Sequence, residues 1–173
     1  MGKLDLSQLP GTYRTSVFVG GSYAEDSRIF LGLLRKAMKK SGFHPVLAYD
    51  YKMPKVKGDV VNRDIHDVTL WLLHSCRLAV FETSEWSGAL MEIERMADYG
   101  FHRALLLYYE RHGQSWKTSP KAWKTSTMLK SYVLEHDNWL QVSVYTRPKD
   151  AVRQTREFLE TMRRSDHGKL HSL

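Results

Sequence analysis

Short apolar runs alternate with amphipathic stretches along most of the chain. The runs at 15–20, 78–81 and 103–109 are rich in Val, Leu, Phe and Ala and carry little charge. Between them, apolar residues recur every three or four positions, as they do on one face of a helix. Parallel strands joined by helices are buried on both faces, which suits such runs. The alternation therefore predicts an α/β fold around a mostly parallel sheet.

Five strands and four helices can be placed on this pattern. We predict a flavodoxin-like three-layer fold in which a five-stranded, mostly parallel sheet lies between two helical layers, and in which ligands bind at the carboxyl ends of the strands. Cys76 is predicted on the apolar face of the second helix. The domain boundaries follow as a 1–14 extension, a single nucleotide-binding domain over 15–164 and a flexible tail over 165–173. The predicted strands are 15–20, 45–49, 78–81, 103–109 and 139–145, and the helices start near 26, 62, 88 and 148.

Composition narrows the class of protein. A chain of 173 residues corresponds to about one domain. With a single cysteine, Cys76, no intrachain disulfide can form, which predicts a reducing, cytoplasmic compartment. No apolar run is long enough for a membrane span. The net charge of +7 favours an anionic ligand such as a nucleotide, although a basic soluble surface is the plainer interpretation.

The loops after the first and third predicted strands hold the first candidate binding residues. Gly20, Gly21, Ser22 and Tyr23 follow the first strand, where glycines let a ligand approach the backbone and a helix start offers free N–H groups. The loop lacks the dinucleotide-binding and Walker patterns, so a plain tight turn remains the alternative. After the third strand, Glu82 is expected to be exposed and could bind ribose, and Gly88 opens the next helix.

Three carboxylates are candidates for chemistry on a sugar. Glu92 lies beside the apolar face of the third predicted helix, where a carboxylate could stabilise or attack a sugar carbon. A helix-start glutamate that is stabilised by the helix dipole is the alternative. Asp64 and Asp67 share one side of the second helix. They could hold ribose hydroxyls or donate a proton, or they could form a solvated face.

No metal or cofactor is indicated. The eight histidines show no ligand pattern, since His167 and His171 have the right spacing but fall in the predicted tail. The basic 111–130 segment interleaves lysines with Trp116 and Trp123, a composition that can bind single-stranded nucleic acid. We favour an exposed lysine face for this segment, with nucleic acid binding as the alternative.

Three stretches together resemble one superfamily. They are the first strand and its loop from Val17 to Ser22, the helix and strand from Asp64 to Val80, and Gly88 to Ile93. The chain is similar to the nucleoside 2-deoxyribosyltransferases, the deoxynucleoside 5′-monophosphate N-glycosidases and the bacterial TIR-like domains. In that superfamily a glycine, three residues and then Glu-Leu or Glu-Ile mark the catalytic glutamate, and Glu92 takes this position.

The resemblance implies cleavage of an N-glycosidic bond in a nucleotide or in NAD, with NAD as a substrate rather than a cofactor. Glu92 would be the nucleophile or stabiliser, Asp67 or Asp64 would position ribose or assist protonation, and Ser22 and Tyr23 would line the sugar pocket. Relatives often complete their sites across subunits, so a homo-oligomer is expected. The superfamily usually has glycine where this chain has Glu94, a carboxylate that could either crowd the pocket or raise the pKa of Glu92. Many members have aspartate where this chain has Arg77. A non-catalytic nucleotide-binding module or a TIR-like self-associating signalling module is the alternative.

Overall fold

A computed structural model describes residues 11–22, 25–51, 61–83, 92–93, 95–96, 103–109 and 139–170; for 25–26, 61–67 and 166–170 it describes the backbone alone. Strands and helices alternate from residue 16 to residue 82, as the sequence predicts. The helices are α1 (Glu25–Lys40), a 3-10 turn (Ala48–Asp50), α2 (Val61–His74) and α3 (Pro148–Leu170). The strands are β1 (Ser16–Gly20), β2 (His44–Val46), β3 (Leu78–Glu82), β4 (Arg103–Tyr109) and β5 (Leu140–Tyr145).

The five strands form one sheet in the order β2-β1-β3-β4-β5, and every neighbouring pair is parallel. This confirms the predicted flavodoxin-like arrangement. The chain leaves β1 for β2 on one side and later returns to β3 on the other side. The strand order therefore reverses between β1 and β3, where Gly20 pairs with Phe81 at the carboxyl ends. Open α/β sheets bind their ligands in the crevice at this point.

Two apolar clusters, one on each face of the sheet, make the three layers. On the first face, the strands pack against α2 and against the helical residues 92–93 and 95–96 through side chains such as Phe18, Leu72 and Ile93. On the second face, they pack against α1 and α3 through side chains such as Val19, Leu34 and Phe158. Because successive strand residues point to opposite faces, the fully apolar strands supply both clusters.

Helix α1 ends at Lys40, and a glycine turn follows it. Gly42 has a φ of +80°, a left-handed conformation that favours glycine. The N–H of Phe43 then donates to the carbonyl of Met38 over 3.0 Å, and the N–H of Gly42 donates to Lys39 over 3.1 Å. These bonds satisfy carbonyls that the last helical turn leaves without partners. The turn directs the chain back into β2.

Strand β2 is shorter than predicted. It was expected over 45–49, but only three residues pair with β1, and Ala48 and Tyr49 lie in the 3-10 turn. The turn is held by an ion pair between Arg35 of α1 and Asp50. The Arg35 guanidinium also lies 5.6 Å from the centre of the Tyr49 ring. These interactions with α1 favour a turn over continued strand pairing.

Two further boundaries differ from the prediction. Cys76 was placed on the α2 face, but α2 ends at His74 and Cys76 lies in the connection to β3. It is still buried, and its N–H donates to the carbonyl of Leu73 over 3.0 Å. The backbone of helix α3 continues to Leu170, whereas a tail was predicted from residue 165.

Candidate functional site

The Glu92 side chain lies at the carboxyl end of β1. Residues 92–93 and 95–96 are helical, as predicted, and Ile93 and Met96 enter the first-face core. This burial turns Glu92 towards the sheet, where it is only 7% exposed. A Cβ placed on Gly20 would overlap the Phe81 ring and stand 2.9 Å from Glu92 Oε2. The carboxylate therefore contacts the backbone of the last β1 residue, and glycine is what leaves room for it.

Burial determines the electrostatics of Glu92. Among the described residues, no group donates a hydrogen bond to its Oε2 atom, which is inaccessible to solvent. Loss of hydration disfavours the charged form and raises the pKa of Glu92 to about 7. A raised pKa was expected from Glu94, but the cause in the structure is burial, and Glu94 lies outside the described residues. At neutral pH, Glu92 thus exchanges readily between carboxylic acid and carboxylate.

Glu82 is buried, which corrects the prediction that it is exposed. It ends β3, an interior strand of the sheet, and is 5% exposed. The phenolic O–H of Tyr145, at the end of β5, donates to Glu82 Oε1 over 3.2 Å. The position of Glu82 at a strand end predicted that its side chain is exposed to solvent. In the structure, β1 and β4 flank Glu82 and the Tyr145 ring covers it.

The two carboxylates flank the same pair of glycines. A Cβ on Gly20 would point at Glu92, whereas a Cβ on Gly21 would meet Glu82 Cβ at 3.3 Å and a methyl of Leu31. Phe81, beside Gly20, belongs to the first-face core, and Leu31, beside Gly21, belongs to the second. Glu92 and Glu82 therefore approach the Gly20-Gly21 backbone from opposite faces of the sheet. A ligand at this backbone would have the Glu92 carboxylate on one side and the base of the Glu82 side chain on the other.

The remaining predicted site residues are placed in part or lie outside the described chain. Ser22 follows the glycine pair and is half-buried. Asp64 and Asp67 lie on α2, with only their backbone described. Tyr23, Gly88 and the basic 111–130 segment lie outside the described residues. The structure thus brings together Gly20, Gly21, Glu82 and Glu92.

Tyr145 is a site residue that the sequence analysis missed. It was assigned only as the end of the fifth strand. Its position at a strand's carboxyl end was the available signal, since these ends share one edge of a parallel sheet. Which strand it would face depends on the strand order, which the sequence alone does not give.

The described residues contain neither a cluster of metal-ligating side chains nor a membrane-spanning helix. No group of three His, Cys, Asp or Glu side chains in this part of the chain comes together as a metal site requires. None of the helices described is long and apolar enough to cross a membrane.

Comparison with solved structures supports the α/β fold. No protein-family model matches the sequence, and no curated protein matches it. A crystal structure of a conserved protein from Enterococcus faecalis V583 matches with a TM-score of 0.52 and 12% identity, over 83% of this chain and 98% of that one. The TIR domains of the activated Roq1 resistosome, which recognises the pathogen effector XopQ, match with a TM-score of 0.44 and 16% identity. This match covers 86% of this chain and 82% of that one. The first likeness shows a shared α/β fold at an identity too low to inform activity.

Proposed function

We propose that this protein cleaves the N-glycosidic bond of a nucleotide or of NAD, with Glu92 acting at the anomeric carbon. One observation carries the proposal: a buried carboxylate lies against Gly20 in the crevice between β1 and β3, and its Oε2 has no partner among the described residues. A buried polar atom without a hydrogen bond lowers stability by about 1–3 kcal/mol. Such atoms are rare in native proteins, and a catalytic role is one explanation for them. A carboxylate in such a crevice suits a ligand that develops positive charge.

The chemistry follows from the charge that the bond cleavage creates. As the bond from C1′ to the base nitrogen breaks, its electron pair leaves with the base and C1′ becomes oxocarbenium-like. Ionised Glu92 would stabilise this centre or form a bond to it. Water would then supply the hydroxyl at C1′ and release a proton, or a second base would accept the glycosyl group. Nicotinamide leaves NAD as a neutral molecule and needs no proton.

Other bases leave more readily once they are protonated. Asp67 or Asp64 of α2 is the proposed donor, or the group that holds the ribose. Ser22 follows Gly21 directly and is proposed to line the sugar pocket, together with Tyr23. A cationic ligand such as the nicotinamide ring of NAD would also lower the pKa of Glu92 and favour the carboxylate that the reaction needs.

The test compares base release by three proteins. Wild type, Glu92→Gln and Glu160→Gln are incubated with NAD and with a panel of nucleoside monophosphates, and the released base is measured by chromatography. Glu160 is exposed on α3, so its substitution controls for loss of one carboxylate. Glu92→Gln should lower the rate at least about 100-fold, because the amide cannot carry the negative charge.

Two results would oppose the proposal. Full turnover by Glu92→Gln would remove Glu92 from the chemistry. Tight nucleotide binding without base release by wild type would instead indicate a non-catalytic nucleotide-binding module.

A further inference from the structure

Tyr145 reaches Glu82 across a whole strand. Glu82 pairs with Leu107 of β4, whereas Tyr145 pairs with Tyr109, two residues further along that strand. The Tyr145 side chain therefore leans back over β4 to place its phenolic O–H 3.2 Å from Glu82 Oε1. Both side chains are more than nine-tenths buried. The contact joins the end of β3, where the proposed site lies, to the edge strand β5.

The Tyr145 ring is itself held on two sides. Phe30 of α1 stacks on it with ring centres 5.3 Å apart and an interplanar angle of 9°. Tyr109 packs against it at 5.4 Å and 47°. Aromatic pairs at such distances add about 0.5–1.5 kcal/mol beyond the burial of their area. The phenol thus has a fixed position, from which it donates its hydrogen bond to Glu82 Oε1.

We infer that Tyr145 is a positioning residue that holds Glu82 ready to accept hydrogen bonds from the sugar hydroxyls of the ligand, and that the pair favours ribose over 2′-deoxyribose. This inference rests on the proposed function, because it assumes that a nucleotide occupies the crevice. Glu82 lies beside Gly21, on the opposite side of the glycine pair from Glu92. With the anomeric carbon near Glu92, the rest of the sugar lies towards Glu82. A buried carboxylate that loses one hydroxyl partner discriminates strongly against the smaller sugar.

The test uses Tyr145→Phe, which removes one oxygen and keeps the stacked ring. Tyr109→Phe is the matched control, since it removes the same atom from the neighbouring ring. Base release is measured for ribonucleoside monophosphates and their 2′-deoxy counterparts, with kcat and KM determined for the pair that wild type cleaves best. Tyr145→Phe should raise KM for the ribonucleotide about tenfold and change kcat less than about threefold. The preference for ribose, as a ratio of kcat/KM values, should fall about tenfold, while Tyr109→Phe keeps it within twofold.

A second variant and a binding measurement distinguish failure of this inference from failure of the proposed function. Glu82→Gln retains an oxygen that accepts the hydrogen bond of Tyr145 but loses the negative charge. It should also lower the preference for ribose. This variant takes the place of Tyr145→Phe if Tyr145→Phe does not fold. If wild type cleaves nucleotides and both folded variants keep its ribose preference, this inference is overturned while the proposed function stands. If wild type releases no base, dissociation constants for the same nucleotide pairs replace the rates. Absence of any nucleotide binding would overturn this inference and the proposed function together.

Discussion

Replacement of Glu92 by glutamine should change how the stability of the protein depends on pH. Burial raises the pKa of Glu92 from 4.5 to about 7, so the native state holds this proton more tightly than the unfolded chain does. Between these two values the native state binds more protons, and stability falls as pH rises. The ionisation costs about 1 kcal/mol at pH 5 and about 3 kcal/mol at pH 8, from 1.36 kcal/mol per pKa unit. Glutamine does not titrate and escapes this cost.

The assay is urea unfolding of wild type and Glu92→Gln at both pH values. The free energy of unfolding of wild type minus that of the variant should drop by about 2–3 kcal/mol from pH 5 to pH 8. With an m value of about 2–3 kcal/mol per molar urea, the gap between the urea midpoints of wild type and Glu92→Gln should change by about 1 M from pH 5 to pH 8. A pH-independent cost of burying the amide does not affect the result, because only the change with pH is compared.

Glu160→Gln serves as the control, since an exposed glutamate should leave this difference nearly constant over the same range. If the difference between wild type and Glu92→Gln is also constant from pH 5 to pH 8, Glu92 is not a desolvated carboxyl in the native protein. The reasoning about its site would then be refuted.

Three further predictions concern Gly20, the pH dependence of base release and the Cys76 thiol. Gly20→Ala should lower the free energy of unfolding, measured in urea, by about 1–3 kcal/mol, because its Cβ meets Phe81 and Glu92. Gly32→Ala on α1 is the matched control, since its Cβ enters open space, and it should raise the free energy of unfolding by about 0.4–1 kcal/mol. Base release should rise with pH and level off above about pH 7 as Glu92 ionises; a rate that falls over this range would oppose a role for its carboxylate. Burial raises the pKa of the Cys76 thiol, so a thiol reagent should modify it only after denaturant is added, and rapid labelling of the native protein would contradict its placement.

Local pattern was enough to predict the sheet and part of the site. Val17 to Val19 is an apolar run that ends in two glycines, and the same logic located β3, β4 and the helical segment of Glu92. Since the carboxyl ends of parallel strands share one edge, the prediction brought Gly20, Gly21 and Glu92 to one place without any knowledge of contacts. These features depend on residues close together in sequence.

Features that depend on distant partners could not be predicted. Glu82 was expected in solvent because its cover, Tyr145, lies at the end of β5 and reaches it only in this strand order. The early end of β2 depends on Arg35 and Asp50 meeting between α1 and the 3-10 turn. The pKa of Glu92 depends on burial by the whole first-face core. The sequence pattern identified Glu82 and Glu92, whereas tertiary contacts determined their environments.

The packing of α1 beside α3 has a consequence for synthesis of the chain. Both helices cover the second face of the sheet, yet one is near the start of the sequence and the other ends at Leu170. As the chain leaves the ribosome, the first four strands and α1 emerge before α3 exists, so the second-face cluster to which Leu105 belongs is still without the side chains of α3. Contacts that join distant parts of a sequence form late. Nascent chains of this protein should therefore expose apolar side chains of the second face until α3 has been made.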